Sequence, residues 1–432
     1  MKILVLGSGG REHALALGAL KSSLVDKVYL HPGNAGLFLS AGLLPLFSAP
    51  AKSDSREALA ARARELKIDL VVIGPENLLA QGYADFFLKQ GFKVIGPGQK
   101  AAELESSKAF AKAFMEQYGI PTAPYFAAST LDDAEQFINE ASFSLVIKAD
   151  ELAQGKGVIV TETKEEAREA VWSLMSSDSK FSVKSKKVVL ERRLRGYEVS
   201  AIALVDGESF YILGYAQDYK RAFDGDQGPN TGGMGAQLRS LNWPSPSIKQ
   251  QTEMIFKKTL HGLKDRGLPY QGFVFLGLMI EDDRAYLLEY NVRSGDPETQ
   301  VLIPSLKIDF GVLLSHVAEK TLHKIGHHNI PDQCFVHVVL ASGGYPDVEG
   351  HGLKLGRPIL VPDDLQNSKD VTLFYAGVSQ DGDGSLLNKG GRVLGITASG
   401  ETVALARAKA YAAMQEIKLE GSFYRRDIGQ EP

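Results

Sequence analysis

The sequence contains a single cysteine, Cys334, in 432 residues, which excludes an internal disulfide and any zinc site built from several thiolates. No apolar run approaches the roughly 20 residues that a membrane-spanning helix needs, and the N-terminal apolar stretch, interrupted at Gly7, is too short for a signal peptide. The formal net charge is only −4, unlike that of a protein that tracks nucleic-acid phosphates. These absences predict a cytoplasmic protein that binds neither membrane nor nucleic acid.

Glycine is abundant by contrast, with 44 residues, and it follows most of the predicted strands near the N-terminus. There, predicted strands alternate with helices over residues 55–67 and 78–90, and the strands are at 2–6, 27–30, 69–73 and 94–95. This alternation predicts a doubly wound parallel sheet, in which ligands bind where the strands end.

The rest of the chain has a different pattern. A helix predicted over 100–118 leads into a small α/β segment, and longer strands from 188 to 306 predict an antiparallel sheet. A polar stretch over 320–332 precedes further strands at 335–340 and 392–397 and a helix at 401–415. We therefore predict a multidomain chain of α/β and α+β classes, divided as 1–104, 105–325 with a subdomain at about 121–187, and 326–432.

The loop Gly7-Ser8-Gly9-Gly10-Arg11-Glu12 follows the first strand, as a dinucleotide-binding loop would. Glu12, however, stands where the G-x-G-x-x-G fingerprint has its last glycine, and no acidic residue ends the second strand. Backbone N–H groups at the start of a helix still suit an anion. The alternative is a tight strand-to-helix turn without a ligand.

A second glycine-containing loop, 150–157, follows an apolar strand that ends near Lys148. It is not a P-loop, because Asp150 and Gly157 replace the first glycine and the magnesium-binding Ser or Thr. A lysine at a strand end beside a flexible glycine loop can hold and cover phosphates. A surface hairpin is the alternative.

The predicted strand over 285–291 carries two oxygen ligands. Glu289 and Asn291 alternate with apolar residues and so project from one face. Mg²⁺ prefers such sparse oxygen sites, which phosphates and water complete, and Arg293 can contact a phosphate bidentately. A strand-end turn stabilised by Asn291 and Asp296 is the alternative.

The stretch 217–235 has five glycines in its last twelve residues, which is also typical of a flexible linker. Because it joins two apolar strand regions and carries acids, amides and the Lys220-Arg221 pair, we expect a functional loop. The Glu191-Arg192-Arg193-Leu194-Arg195 stretch, taken alone, is typical of a solvated basic edge. None of the 9 histidines is predicted to be a metal ligand or a base.

The order of these motifs resembles the ATP-grasp superfamily. Several strings are similar to the glycinamide ribonucleotide synthetase family within it, over residues 1 to about 429. The strings include Gly9-Gly10-Arg11-Glu12-His13-Ala14, Pro32-Gly33-Asn34-Ala35-Gly36, Gly228-Pro229-Asn230-Thr231-Gly232-Gly233-Met234-Gly235-Ala236, Gly295-Asp296-Pro297-Glu298-Thr299-Gln300, Gly390-Gly391-Arg392-Val393-Leu394-Gly395 and Phe423-Tyr424-Arg425-Arg426-Asp427-Ile428-Gly429.

The resemblance implies an N-terminal doubly wound domain, an ATP-grasp core with a mobile lid, and a small C-terminal α+β domain. The implied enzyme is a phosphoribosylamine–glycine ligase of purine biosynthesis, which joins glycine to 5-phosphoribosylamine through glycyl phosphate and converts ATP to ADP and phosphate. ATP is then a co-substrate and Mg²⁺ or Mn²⁺ a cofactor. A monomer, or at most a weak dimer, is expected.

The resemblance also implies roles for individual residues. Nucleotide binding is expected of Lys108, Lys148, Gly155, Lys156, Gly157, Glu191, Arg192, Leu194 and Glu198. Metal binding is expected of Glu289 and Asn291, and catalysis of Lys148, Arg293, Asp218 and Asp296. Substrate binding is expected of Gly9, Gly10, Arg11, Asn34, Lys220, Arg221, Asn230, Thr231, Gly232, Gly233, Arg293 and Glu298.

The sequence departs from the family pattern at several positions. Arg192 replaces a second acid and Glu151 replaces a glycine; Tyr197, Tyr219 and Ser294 replace an acid, a histidine and a phenylalanine. None of these changes removes a phosphate lysine or a metal ligand, so an active enzyme is predicted. The alternatives are another ATP-grasp ligase or carboxylase, a nicotinamide oxidoreductase, and a non-catalytic nucleotide sensor.

Overall fold

The computed structural model describes residues 1–47, 55–151, 157–176, 184–239, 243–329, 331–347 and 350–430. Its N-terminal unit alternates strands and helices, and those described are β1 (Lys2–Gly7), α1 (Gly10–Leu20), β2 (Lys27–Pro32), β3 (Leu43–Pro45), α2 (Arg56–Glu65), β4 (Leu70–Ile73), α3 (Glu76–Ala80), α4 (Tyr83–Lys89) and β5 (Lys93–Ile95). The strands pair in the order β3-β2-β1-β4-β5, all parallel. The predicted doubly wound parallel sheet is confirmed.

Apolar strands buried on both faces explain this sheet. Ile3, Leu4, Val5 and Leu6 of β1 are each at most 1% exposed, as expected of a strand with helices on both sides. Because the strands are parallel, β1 and β4 end at the same edge of the sheet. Gly7 is the last residue of β1 and Gly74 follows β4, and both lie against the side chain of Glu12 in α1.

Two predicted helices are each divided in the structure. The helix predicted over 78–90 is α3 and α4, since Gly82 between them adopts a left-handed conformation (φ +76°). The helix predicted over 100–118 is α5 (Glu103–Ser106) and α6 (Lys108–Gln117). Ser107 is extended there, and its hydroxyl accepts the Phe110 N–H as the N-cap of α6.

A small four-stranded sheet follows α6. Its elements are β6 (Tyr125–Ala128), α7 (Leu131–Glu140), β7 (Leu145–Ala149), β8 (Val158–Val160), α8 (Lys164–Met175) and β9 (Val188–Arg192). The strands pair antiparallel in the order β6-β9-β7-β8. Both helices pack on it around their own apolar cluster, which includes Ile138, Ile147 and Val171. We call this unit, residues 125–192, the lid.

The rest of the molecule contains a large antiparallel sheet and two separate hairpins. The described elements are β10 (Tyr197–Val205), β11 (Phe210–Asp218), β12 (Arg221–Phe223), β13 (Gln227–Asn230), β14 (Gly235–Leu238), α9 (Pro246–Asp265), β15 (Gly272–Glu281), β16 (Arg284–Asn291), α10 (Thr299–Leu302), α11 (Phe310–Ala318), β17 (Cys334–Ala341), α12 (Asp363–Gln366), β18 (Val371–Tyr375), β19 (Val378–Gln380), β20 (Leu386–Asn388), β21 (Arg392–Gly400) and α13 (Val403–Glu416). The sheet order is β16-β15-β10-β11-β14-β17-β21-β18, and the hairpins are β12–β13 and β19–β20. The antiparallel prediction for 188–306 is confirmed from β10 onward, whereas β9 belongs to the lid.

This sheet runs across the domain boundary that we predicted at residue 325. β14 pairs with β17, so hydrogen bonds join the two predicted domains directly, and the predicted boundaries stay predictions.

The sequence analysis missed α9, in which Ile255 and Phe256 are almost completely buried. No helix among the described residues is both long and apolar enough to cross a membrane.

The glycine-rich stretch is held by the C-terminal segment. Arg425 is 1% exposed; its Nη1 lies 2.8 Å from Asp226 Oδ1, and its Nη2 lies 2.7 Å from Asp427 Oδ2. Nη1 also donates to the Arg221 carbonyl at 3.1 Å. The hairpin formed by β12 and β13 is thereby joined to the end of the chain.

Replacing Arg425 with leucine should lower the free energy of unfolding by about 3 kcal/mol, because Asp427 loses its bidentate partner in a largely buried setting. Urea unfolding followed by circular dichroism measures this. The control is Arg426→Leu, since the Arg426 side chain is exposed and such a change costs only about 0.5 kcal/mol or less. Equal losses for the two variants would contradict the prediction.

Candidate active site

Lys148 and Glu191 lie on neighbouring lid strands and face the core. Lys148 of β7 pairs with Val189 in the antiparallel ladder, and Glu191 follows two residues later in β9, so both side chains project from one face. Lys148 Nζ lies 2.8 Å from Glu191 Oε1 and 3.3 Å from the carbonyl oxygen of Leu288 in β16. The lysine therefore bridges the lid and the strand that carries Glu289.

Lys112 is a third member of this cluster, which the sequence analysis missed. Its Nζ lies 2.7 Å from Glu191 Oε2 and 2.6 Å from Thr122 Oγ1, and it is 1% exposed. Lys112 stands four residues after Lys108 on α6, and this spacing places both on one helix face. That spacing was the signal that could have identified it.

In this cluster, burial and the neighbouring charges shift the pKa of each group in opposite directions. Burial lowers the pKa of Lys112 to about 8, although Glu191 raises it. Burial alone would raise the pKa of Glu191, but the ammonium groups of Lys148 and Lys112 hold it below its usual value. Glu191 is therefore a carboxylate at neutral pH.

Lys108 is the first residue of α6 and lies at the mouth of the cleft, where its Nζ is 3.5 Å from the Glu151 carbonyl oxygen. The carboxylate of Asp150 accepts the Ala109 N–H at 2.9 Å and the Ser107 hydroxyl at 2.9 Å, which ties the start of the glycine loop to this helix. Gly155 and Lys156 lie outside the described residues. Gly157 is buried, and its carbonyl accepts the Ala149 N–H.

Glu289 and Asn291 lie on β16, two residues apart and on one face. Burial alone would raise the pKa of Glu289, but it is lowered by Lys220, Lys108, Lys148 and Arg293. The cations that act on this carboxylate come from α6, the lid, the end of β11 and the end of β16, so these segments share one cleft.

The oxygen atoms of Glu289 and Asn291 suit a magnesium ion, which binds to few protein ligands and keeps phosphate and water oxygens. Among the described ranges, no group of three or more His, Cys, Asp or Glu side chains could hold a metal. The donor set therefore fits an ion that arrives with phosphates better than one enclosed by protein ligands alone.

Arg293 is oriented by carboxylates that the sequence analysis missed. Its Nη2 donates to Asn291 Oδ1 at 3.1 Å and lies 3.2 Å from Glu105 Oε1, and its Nε lies 3.4 Å from Glu76 Oε2. Glu76 also lies 3.8 Å from Arg11 Nη1. Their positions, far apart in the chain, gave no signal of this contact.

Glu12 fills the space beneath the N-terminal loop. Its Oε2 accepts the Gly9 N–H at 2.7 Å, and its Oε1 accepts from Arg11 Nε at 2.6 Å. A Cβ atom on Gly7 or Gly74 would collide with the Glu12 side chain, which explains why glycine ends both strands. The Gly9 N–H that we expected to face a ligand is thus taken by the protein's own carboxylate.

Asp218 and Glu298 form an acidic pair beside Lys220. Burial, with the charges of Glu298 and Glu198, raises the pKa of Asp218 to about 7 despite Lys220. Burial also raises the pKa of Glu298, whose Oε1 accepts the Ser200 hydroxyl at 3.1 Å. Lys220 is paired with Glu198. The pair can accept hydrogen bonds from an ammonium group and can take up a proton.

Asp296 lies against Arg392, another residue that we did not select from the sequence. Arg392 Nη2 lies 3.0 Å from Asp296 Oδ2, and its Nη1 donates to the carbonyls of Gly232 and Asp296 at 2.6 and 2.8 Å. Burial alone would raise the pKa of Asp296, but Arg392 and Arg11 lower it. Asp296 therefore stays ionised and is a poor candidate for a base.

The Gly232–Gly233 turn packs on the segment after β16. Gly233 has φ +108°, and a Cβ there would collide with Pro297, so the position requires glycine. The Thr231 hydroxyl donates to the Lys220 carbonyl at 2.9 Å and accepts the Gly233 N–H at 2.9 Å. The turn is thereby held beside the acidic pair.

The remaining predicted residues have mostly structural partners. Asn34 Nδ2 donates to the Ser8 carbonyl at 2.6 Å, and Arg221 Nη1 donates to the Gly228 carbonyl at 2.8 Å. Asn230 pairs with Arg221 in the β12–β13 hairpin. Gly10 begins α1, where an added Cβ would meet the side chain of Gln300.

Arg192 and Leu194 lie where the lid joins the large sheet. Arg192 Nη2 lies 2.7 Å from Glu281 Oε2, and Glu281 Oε1 accepts the Arg195 N–H at 2.7 Å. Leu194 is buried, with 6% exposure. The side chain of Arg192 thus contacts a carboxylate at the end of β15 in the large sheet, and its backbone lies next to Glu191.

Family models match almost the whole chain. They are the N, ATP-grasp (A) and C domains of phosphoribosylglycinamide synthetase, at residues 1–105, 106–299 and 335–431. The phosphoribosylamine–glycine ligase of Streptococcus suis is 40% identical over 432 residues, which cover 100% of this chain and 99% of that protein.

Solved structures agree with these matches. The phosphoribosylamine–glycine ligase of Thermotoga maritima has a TM-score of 0.83 at 36% identity and covers 99% of this chain and 100% of its own. The biotin carboxylase of Campylobacter jejuni, at 16% identity and with a TM-score of 0.71, covers 98% of this chain and 92% of its own and shares the fold. The predicted ATP-grasp architecture is confirmed, and the chain belongs to the phosphoribosylglycinamide synthetase family.

Proposed function

We propose that this protein ligates glycine to 5-phosphoribosylamine with ATP, forming glycinamide ribonucleotide, ADP and phosphate through glycyl phosphate. The observation that carries the proposal is that Lys148 of the lid lies beside β16, the strand that bears Glu289 and Asn291. A lysine, a half-buried carboxylate and an amide oxygen in one cleft suit a nucleoside triphosphate and its metal ion. Family membership supports the choice of substrates.

ATP would lie between the lid and the large sheet. Glu191 would accept a hydrogen bond from the adenine amino group, the backbone of Arg192 and Leu194 would contact the rest of the base edge, and Glu198 would accept from the ribose hydroxyls. The phosphates would then bind to the cationic and loop residues Lys108, Lys148, Gly155, Lys156 and Gly157. Lys148 would exchange its contact with Glu191 for the phosphates.

Glu289 and Asn291 would hold Mg²⁺ or Mn²⁺, which would supply positive charge against the phosphates. Asn291 Oδ1 already accepts from Arg293, and this hydrogen bond fixes the direction of the amide oxygen. Arg293 in turn is held by Glu105 and Glu76. The residues are therefore set in place before the nucleotide binds, which reduces reorganisation during the reaction.

In the first step, a glycine carboxylate oxygen bonds to the γ-phosphorus and the bond to the β-phosphate oxygen breaks, releasing ADP. Both reactants are anionic, so Lys148 and Arg293 would neutralise their approach. In the second step, the amine of phosphoribosylamine attacks the glycyl carbonyl and phosphate leaves. Asp218 and Glu298 would orient the amines and take up the proton that the attacking amine loses.

Glycyl phosphate hydrolyses readily, so water has to be excluded between the two steps. Closure of the lid over the core would achieve this. The lid has its own apolar cluster, so it can move as a unit while its packing stays intact. Contacts such as Lys148 with Leu288 and Arg192 with Glu281 link it to the core.

The sugar phosphate would bind near the start of α1. Supporting observations are that Gly9, Gly10 and Asn34 lie together there, and that Lys220, Arg221 and the turn from Asn230 to Gly233 flank the acidic pair. Arg11 and Arg293 both contact Glu76. Each guanidinium group would therefore have to contact this carboxylate and the sugar phosphate at the same time. Asp296 would contribute by holding Arg392 and the turn. A cytoplasmic monomer or weak dimer completes the proposal.

The experiment that tests this function measures ADP release with glycine and freshly prepared phosphoribosylamine, present together and singly. Release should require glycine, and glycinamide ribonucleotide should form in equal amount to ADP. ADP release that does not depend on glycine would contradict the ligase activity. No ADP release under any condition would favour a nucleotide sensor.

Lys148→Ala should lower kcat by about a hundredfold to a thousandfold, because a cation that contacts the transferred phosphoryl group is lost. The same assay measures it. Lys186→Ala is the matched control, since Lys186 is an exposed lysine on the lid and its loss should leave kcat unchanged. A near-normal rate for Lys148→Ala would show that its phosphate role is wrong.

The value of kcat/KM for glycine should fall as the pH drops through about 7. Burial raises the pKa of Asp218 to about 7, so its carboxylate is present above this pH and is protonated below it, and a neutral acid holds an ammonium group less well. A pH profile of kcat/KM from about pH 6 to about pH 8 measures this effect. Asp218→Asn should be less active and should lack this limb, and a flat wild-type profile would contradict the role of Asp218.

A further inference from the structure

Lys112 has no role in the reaction described above, yet it is almost completely buried. Its ammonium group contacts Glu191 of β9 and Thr122, which lies three residues before the lid begins. The Thr122 hydroxyl donates in turn to the Leu287 carbonyl of β16 at 2.6 Å. One buried cation on α6 therefore contacts the last strand of the lid and the segment that leads into the lid, and Thr122 links it to the strand that bears the proposed metal ligands.

The ammonium group of Lys148 has two possible partners, Glu191 and the phosphates of the nucleotide. Its Nζ lies 2.8 Å from Glu191 Oε1 in this structure, but the proposed function requires it at the phosphates of the nucleotide. When Lys148 moves to the phosphates, Lys112 is the remaining ion-pair partner of Glu191 among the described residues. A buried carboxylate that loses every cationic partner becomes protonated, because burial disfavours the charged form.

The protonation state of Glu191 decides which purine it accepts. A carboxylate is only a hydrogen-bond acceptor, whereas a neutral carboxyl group is also a donor. Adenine presents an amino donor at position 6, and hypoxanthine and guanine present a carbonyl acceptor there. An ionised Glu191 therefore matches adenine and repels the 6-oxo purines, while a neutral one accommodates both.

We propose that Lys112 is a positioning residue that keeps Glu191 ionised and in place when Lys148 engages the phosphates, and that it thereby makes the site select ATP over 6-oxo purine triphosphates. The inference rests on the proposed function through the contact between Glu191 and the base. Packing alone does not account for a lysine here, because an apolar side chain of similar length fills the same space without the desolvation of a charge.

The test compares kcat/KM for ATP and for inosine triphosphate, whose base has a carbonyl oxygen in place of the amino group at position 6 and a hydrogen on N1. The N1 difference is the same for every variant, so a change in preference between variants reports on the contact at position 6. Lys112→Met should lower the preference for ATP by about tenfold to a hundredfold, the range expected when a hydrogen bond to a charged group is lost. The loss should appear in KM for the nucleotide, with kcat at saturating ATP changing far less. Lys112→Gln removes the charge but keeps a polar side chain, and should show the same loss if Lys112→Met does not fold.

Two further variants separate the possible outcomes. Glu191→Gln keeps the shape but can donate a hydrogen bond, so it should also lose the preference, and combining it with Lys112→Met should add little. Lys258→Met is the matched control, because Lys258 donates to the Gly119 carbonyl on the segment before the lid and should keep the preference.

If Glu191→Gln loses the preference and both Lys112 variants keep it, the inference about Lys112 is overturned while the base contact of the proposed function stands. If Glu191→Gln keeps the preference, the base contact itself is wrong and the inference fails with it. A loss in Lys258→Met as large as in Lys112→Met would point to a general disturbance of this region and would also overturn the inference.

Discussion

The cleft of this protein depends on one buried carboxylate that two ammonium groups hold from different parts of the chain. Glu191 belongs to the lid, Lys148 to the neighbouring lid strand and Lys112 to the helix before the lid. Such a cluster is stable only when each charge has its partner, because an isolated buried ion is strongly disfavoured. The arrangement therefore determines how the lid meets the core, and it places Lys148 where phosphates can take over its charge.

The same balance of charges recurs around the rest of the site. Arg293 contacts Glu76 and Glu105, and Arg392 contacts Asp296, so each guanidinium is oriented by a carboxylate. A cation held in this way needs little rearrangement when a phosphate approaches, which is how an enzyme prepares for charge that develops during a reaction. The carboxylates also limit the net positive charge of the cleft, and this agrees with the nearly neutral composition of the chain.

Local sequence rules predicted the secondary structure well where local interactions decide it. The parallel strands followed from apolar runs that end at glycine, as at Gly7 and Gly74. The helix predicted over 100–118 was wrong as one element, because Ser107 adopts an extended conformation and caps a new helix. Its hydroxyl also donates to Asp150, a contact between distant residues that helix propensity alone does not reveal.

The sequence by itself determined which side chains share a face of a strand or a helix. Glu289 and Asn291 lie together because side chains alternate along a strand. Lys148 could be placed at a strand end because it follows the apolar run 145–147. Only the tertiary structure decided that Lys112 contacts Glu191, 79 residues later, and that Arg392 holds Asp296, 96 residues earlier. These contacts depend on how the lid and the C-terminal strands pack on the core. The spacing of apolar and polar residues along the sequence carries no information about that packing.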